Sequence, residues 1–140
     1  MNYLFFILFS AFSSYYQQTE TVDITVVVTN ITTLEGSIEL GVFNTSKSFL
    51  NKGEEYRTYS QKATNNTLTF HLKGLKKDDY AISLYQDINS DGKCNLNVLL
   101  RPSEPYGFSN NIKLKLFKPS FDDCKLTADK NMVIKIKLVE

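Results

Sequence analysis

Apolar and polar residues alternate with a period of two along six separate stretches of this chain, and that pattern constrains its fold class most. Successive side chains of an extended strand point to opposite faces, so each such stretch hides one face and wets the other. Val22, Ile24, Val26 and Val28 alternate with Thr21, Asp23, Thr25 and Val27. A turn over residues 30–36 follows, then Ile38, Leu40 and Val42 alternate with Ser37, Glu39 and Gly41. These two strands are expected to pair as a hairpin. Leu68, Phe70 and Leu72 mark a third run, and Tyr80, Ile82 and Leu84 a fourth. Ile112, Leu114 and Leu116 alternate with Lys113 and Lys115, while Met132, Ile134, Ile136 and Leu138 alternate with Lys135 and Lys137. A short seventh strand is expected at residues 125–128.

Helical periodicity is confined to a turn or two within residues 47–59. Short strands with polar outer faces predict an all-β fold, an antiparallel two-sheet sandwich of about seven strands, transthyretin-like or immunoglobulin-like. There is no internal repeat or proline-rich linker, so residues 20–140 are expected to form a single β-sandwich domain. Two connections, residues 44–66 and 87–111, are long for a compact domain, and loops of that length are commonly functional. A formal net charge of +1 provides no general attraction to a polyanion, so nucleic acid is not an expected partner.

Residues 3–12 form one apolar run, roughly half the ~20 residues that a membrane-spanning helix needs. That length fits the core of a secretory signal peptide. Ala11 and Ser13 place small residues for cleavage after Ser13, so residues 1–13 are read as a leader, although no Lys or Arg precedes the run. The protein is therefore expected to be secreted or periplasmic, with no membrane span once the leader is removed.

The richest local signal lies in the second long connection. Asp87, Asn89, Asp91, Asn95 and Asn97 recur as oxygen-bearing side chains, with Gly92 at a turn between them. Asp87, Asn89, Asp91 and Gly92 match the first half of a calcium-loop pattern, because hard cations take six to eight oxygens from alternate residues of a curled loop. The candidate cation positions are thus Asp87, Asn89, Asp91, Lys93 and Asn95, and Ca2+ is the ion expected. The match then fails, since Val98 stands where a bidentate Glu is needed and Lys93 adds a positive charge. The other reading is a loop whose Asp, Asn and Gly residues supply turn hydrogen bonds.

Cys94 lies in this loop and Cys124 ends a Phe121-Asp122-Asp123-Cys124 segment. Two Cys in an exported chain point to a disulfide, the alternative being two independent thiols. His71, the only histidine, sits at an outward strand position with no local carboxylate or nucleophile to form a catalytic constellation. Residues 101–110 hold two prolines, Glu104, Tyr106, Phe108 and Asn110, and form a candidate binding loop. Its rings either stack on a sugar or peptide or plug the end of the sandwich.

Leu75, Tyr80-Ala81-Ile82-Ser83-Leu84-Tyr85-Gln86-Asp87, Asn89, Asp91-Gly92-Lys93 and Asn97 together resemble the pattern of domain of unknown function 2141. Pro102, Glu104, the block Tyr106-Gly107-Phe108-Ser109-Asn110 and the block Pro119-Ser120-Phe121-Asp122-Asp123 resemble its later parts. Gly36, Ile38, Val42, Phe43 and Asn44 are similar to its opening hairpin. The resemblance implies an exported bacterial protein with a sandwich similar to transthyretin-like modules, and it implies no reaction. Cys94 and Asn95 depart from the family, which usually has an apolar and an acidic residue there; the second change removes an anionic ligand.

The expected function is a non-catalytic binding or scaffold module of the cell envelope, whose partner is an envelope protein or a glycan. One alternative is a carboxylate-dependent, glycosidase-like hydrolase pairing Glu104 with Asp122 or Asp123 across a cleft. Another is a structural subunit that assembles by strand addition at an open sheet edge.

Overall fold

A computed structural model describes residues 20–140, so the expected leader at residues 1–13 lies outside the described residues. Among the described residues there are eight strands: β1 Thr21–Thr29, β2 Ser37–Phe43, β3 Arg57–Lys62, β4 Thr67–Lys76, β5 Asp78–Asp87, β6 Tyr106–Phe108, β7 Leu126–Ala128 and β8 Met132–Lys137. A 3-10 turn, Ser109–Asn111, follows β6, and a one-turn helix α1, Phe121–Cys124, precedes β7. The first sheet has the order β4-β1-β8 and the second β3-β2-β5-β6, with β7 also pairing to β5.

The all-β sandwich is as the alternation predicts, with eight strands rather than about seven, β6 lying inside the expected binding loop at residues 101–110, and with four further differences of detail. First, β1 and β2 do not form a hairpin; β1 pairs with β4 and β8, whereas β2 pairs with β3 and β5. Their apolar faces bury the same interior from opposite sheets. The connection between them is tied down as an arch, with the Asn30 Nδ2 donating to the Leu138 carbonyl and the Gln86 side-chain amide donating to those of Thr33 and Glu35. Second, β1 and β8 run parallel, Val26 opposite Ile134, so the sheets are not wholly antiparallel. Third, residues 46–50 and 52–53 form turns within the stretch where a helical turn is expected, but its end from Arg57 runs into the unanticipated β3, whose sequence Arg-Thr-Tyr-Ser-Gln-Lys has almost no apolar face to betray it. Fourth, the alternating segment at residues 112–116 is not a strand at all. Ile112 and Leu114 still pack inward, against side chains rather than in a hydrogen-bonded ladder.

Val22, Ile24, Val26 and Val28 of β1 face Ile38, Leu40 and Val42 of β2 and Tyr80, Ile82 and Leu84 of β5 within one buried cluster. Each such aliphatic side chain contributes about 1.5–3 kcal/mol by leaving water. Lys77 alone separates β4 from β5, so the chain changes sheets there at a sharp corner.

Both lateral seams between the sheets are closed. On one side the Tyr106 and Val139 backbones exchange two hydrogen bonds of 2.9 Å, joining the edge of the second sheet to the chain just beyond β8. Gly107 permits this approach, since a β-carbon there would lie 2.7 Å from Ile136 Cγ2. On the other side β3 caps the free carbonyls of β4: Arg57 Nη1 donates to Lys73 O at 2.7 Å, and Gln61 Nε2 donates to Thr69 O at 3.0 Å. Asn111 then covers β8 by accepting from Lys137 N at 2.8 Å and donating to Lys135 O at 3.0 Å.

A second buried cluster sits on the outer face of the second sheet, under the long loops. Phe43, Phe49, Ala81, Phe108, Phe121 and Cys124 form it. Phe49 packs edge-on against Phe43 at 5.4 Å and Phe121 at 6.0 Å. This second cluster is the platform on which the candidate site is built.

Candidate functional site

Strand β5 ends by delivering Asp87, 3% exposed, into the mouth of the Asn-rich loop. Its two carboxylate oxygens accept from the backbone N–H groups of Asp91, at 3.1 Å, and Gly92, at 2.9 Å. Asn89 Oδ1 also accepts from Asp91 N. The Asp91 carboxylate accepts from Lys93 N and from the side-chain amides of Asn89 and Asn95. The Asn95 hydrogen bond, with lesser help from Lys93 N and Asn89, holds the Asp91 carboxyl below the ordinary carboxylate value.

Glu104 completes the frame from the far side of the loop. Nearly buried, it accepts from Ile88 N at 3.0 Å with one oxygen and from Asn95 N at 3.1 Å with the other. The loop thus draws its shape from charge-assisted bonds between its N–H groups and the buried Asp87 and Glu104 carboxylates, with the exposed Asp91 adding to them. Among the described residues no group of three or more His, Cys, Asp or Glu side chains gathers as a metal site. The Lys93 side chain faces the groove described below.

The candidate binding loop at residues 101–110 divides into separate tasks. Tyr106 and Phe108 face that groove, whereas Glu104 holds the Asn-rich loop. Ser109 is fully buried, and its hydroxyl accepts from Ile82 N at 2.9 Å and donates to the Cys124 carbonyl, stitching β5 to α1. Asn110, at φ 61°, donates its side-chain amide to the carbonyls of Asp123 and Lys125. Asp123 caps α1 in a reciprocal box with Ser120, and Asp122 pairs with Lys125 at 3.1 Å. His71 is exposed on the outer face of β4.

Cys94 and Cys124 are both free thiols, Cys124 inside the second cluster and Cys94 half-buried at the groove. Burial pushes each thiol up to about 11.

A groove of about 670 Å3 opens over the outer face of the second sheet. That volume lies within the ~300–1,000 Å3 typical of small-molecule sites. Ser83, Tyr85, Tyr106 and Phe108 form its floor. Burial pushes the Tyr85 phenol up to about 12. One wall is a tight hairpin tip at residues 96–102, in which Asn97 Oδ1 accepts from Leu99 N and Arg101 N and presents Leu96, Leu99 and Leu100. The other wall is the segment carrying Leu114, Leu116 and Phe117. Arg101 Nη2 donates to Lys115 O at 3.2 Å and ties the two walls together. Leu100 is 76% exposed and Phe117 85%, so the walls form an apolar patch open to solvent. Contiguous exposed apolar surface of this kind marks interaction sites.

Backbone conformation singles out two of the lining residues. Six non-glycine residues adopt positive φ among the described residues; three are Asn, which tolerates it, and a fourth is Ser90 in the Asn-rich loop. The other two are Leu50, at φ 61°, and Leu100, at φ 58°, and both line this groove. A left-handed conformation costs a residue with a β-carbon roughly 1–2 kcal/mol. Such local strain concentrates where a side chain is needed for binding.

Leu50, Leu100, Leu114, Leu116 and Phe117 escape the sequence reading, because alternation at residues 112–116 mimics a strand and left-handed leucines have no sequence signature. The run Lys-Leu-Lys-Leu-Phe-Lys at residues 113–118 is the one available signal, an apolar stripe flanked throughout by cations.

No curated protein and no solved structure matches the chain. The family described as an uncharacterized protein conserved in bacteria matches residues 26–135, from the second half of β1 through most of β8. With that span including both sheets, the Asn-rich loop and the groove, the chain belongs to domain of unknown function 2141.

Proposed function

We propose that this chain is an exported, non-catalytic binding module of the cell envelope, holding an apolar ligand in the groove over its second sheet. The observation that carries this reading is the pair of left-handed leucines, Leu50 and Leu100, that both line one apolar groove. Export rests on the leader-like residues 1–13. Among the described residues no helix is long and apolar enough to cross a membrane.

The hydrolase alternative draws little support from the carboxylates it needs. Glu104 is bonded to loop N–H groups, Asp123 caps α1, Asp122 pairs with Lys125, and none of the three lines the groove. Strand addition at the edges of β4 and β8 is similarly disfavoured, because side chains of Arg57, Gln61 and Asn111 occupy groups that an incoming strand would use there.

Titration with the neutral apolar dye N-phenyl-1-naphthylamine tests the groove directly. Saturable fluorescence enhancement at one site per chain is expected. An emission no greater than the dye shows in buffer would refute the reading.

A further inference from the structure

We propose that the occupant of the groove is the hydrocarbon chain of a single-chain anionic amphiphile, whose head group lies among the cations at the rim. This inference rests on the groove being a ligand site and adds the chemical class of the ligand. Around the apolar walls stand Lys52, Lys93, Arg101, Lys115 and Lys118, opposed by Glu55 alone. The chain as a whole carries a formal net charge of only +1, so this concentration of positive charge is local. Among the described residues the ion pairs involve Lys77 and Lys125, and none of the five rim cations takes part in one. Glu55 in turn accepts from Gly53 N at 2.9 Å.

Two rim cations also brace the site. Lys52 Nζ donates to Gly92 O at 2.8 Å, joining the first long loop to the Asn-rich loop, while Arg101 joins the two apolar walls. Lys93, Lys115 and Lys118 make no side-chain hydrogen bond among the described residues and remain available to a ligand. An apolar groove rimmed by five cations and a single lining carboxylate is complementary to a molecule with a hydrocarbon chain and one anionic end. A neutral lipid would leave the cations unanswered, and an alkylammonium would be repelled.

Displacement of N-phenyl-1-naphthylamine from the purified protein by dodecanoate, dodecanol and dodecylammonium tests this. Dodecanoate is expected to bind about tenfold more tightly than dodecanol, the worth of one or two partly exposed ion pairs. Dodecylammonium should bind more weakly than either. Raising the salt concentration should narrow the gap between dodecanoate and dodecanol, because exposed charges are screened. In a Lys115→Gln/Lys118→Gln variant the dodecanoate-to-dodecanol ratio should fall toward one. Leu100→Gly relieves a left-handed leucine, so it should bind all three more weakly while its Tm is retained or raised.

Equal affinities for dodecanoate and dodecanol would overturn the anionic head group and leave the groove standing. Failure of the dye and of every amphiphile to bind would overturn the groove itself. Sedimentation with anionic vesicles, without one-to-one binding of dodecanoate, would overturn the proposal in favour of membrane docking by the loop tips.

Discussion

A β-carbon on Gly36 would lie 1.8 Å from the carbonyl oxygen of Asp87. The arch between the two sheets is therefore seated directly on the residue that opens the Asn-rich loop, and only a glycine permits that contact. Its φ of 66° imposes the same choice independently. Gly36→Ala should cost about 1–2 kcal/mol from backbone conformation alone, with the steric conflict added. Thermal unfolding should show Tm lowered by at least ~5 °C. An unchanged Tm would mean that the arch is free to move away from Asp87.

Glu104 bridges the two ends of the Asn-rich loop through Ile88 N and Asn95 N. Glu104→Gln preserves the shape but turns an amide donor toward one of those N–H groups. A loss of about 1–3 kcal/mol is expected in denaturant unfolding. Faster amide exchange at Ile88 and Asn95 should accompany it, and unaltered exchange would remove Glu104 from its bracing role.

Burial raises the phenols of Tyr80 and Tyr85 from 10.0 to about 12, and the Tyr80 hydroxyl also donates to Lys76 O. The folded chain holds these protons more tightly than the unfolded chain. Their contribution is complete below the unfolded value of 10.0 and is lost as pH rises through about 12. Urea midpoints measured up the alkaline range should fall across that window, less steeply in Tyr85→Phe.

Both thiols are free and raised from 9.0 to about 11, so near neutrality each carries about 100-fold less thiolate than an ordinary thiol. Alkylation by iodoacetamide should be correspondingly slow on the folded protein. After unfolding without reductant, two alkylations are expected by mass spectrometry. A mass short by two hydrogens, with no alkylation, would instead show Cys94 joined to Cys124.

Arg57 and Gln61 occupy carbonyls along the free edge of β4. Their joint replacement by Ala exposes a strand edge, at a cost of about 1–2 kcal/mol in stability. Light scattering should give a constant mass for the unmodified protein as its concentration rises, and an increasing mass for Arg57→Ala/Gln61→Ala. Constant mass in both would show that these side chains do not guard the edge.

Local alternation was enough to read most strands, because facing inward or outward is decided one residue at a time. Val22 to Val28, Ile38 to Val42 and Tyr80 to Leu84 lie in strands and bury the side chains expected. The Asp87–Asn97 segment was likewise legible as a structured loop, since Asp, Asn and Gly form turn bonds with near neighbours. Strand partners were not legible in the same way. The pairing of β1 with β4 and β8, rather than with β2, depends on two apolar faces closing over one interior. Strand β3 needs its neighbour β2 to become a strand at all, having little apolar patterning of its own. The groove lies furthest from the sequence, because its walls come from residues 50, 96–102 and 114–118, brought together only by the fold. Leucines at positions 50 and 100 violate the backbone preference of their residue type, so composition does not announce them; Leu100 is held by the local bonds of the 96–102 tip, in which Asn97 accepts from Leu99 N, Leu100 N and Arg101 N.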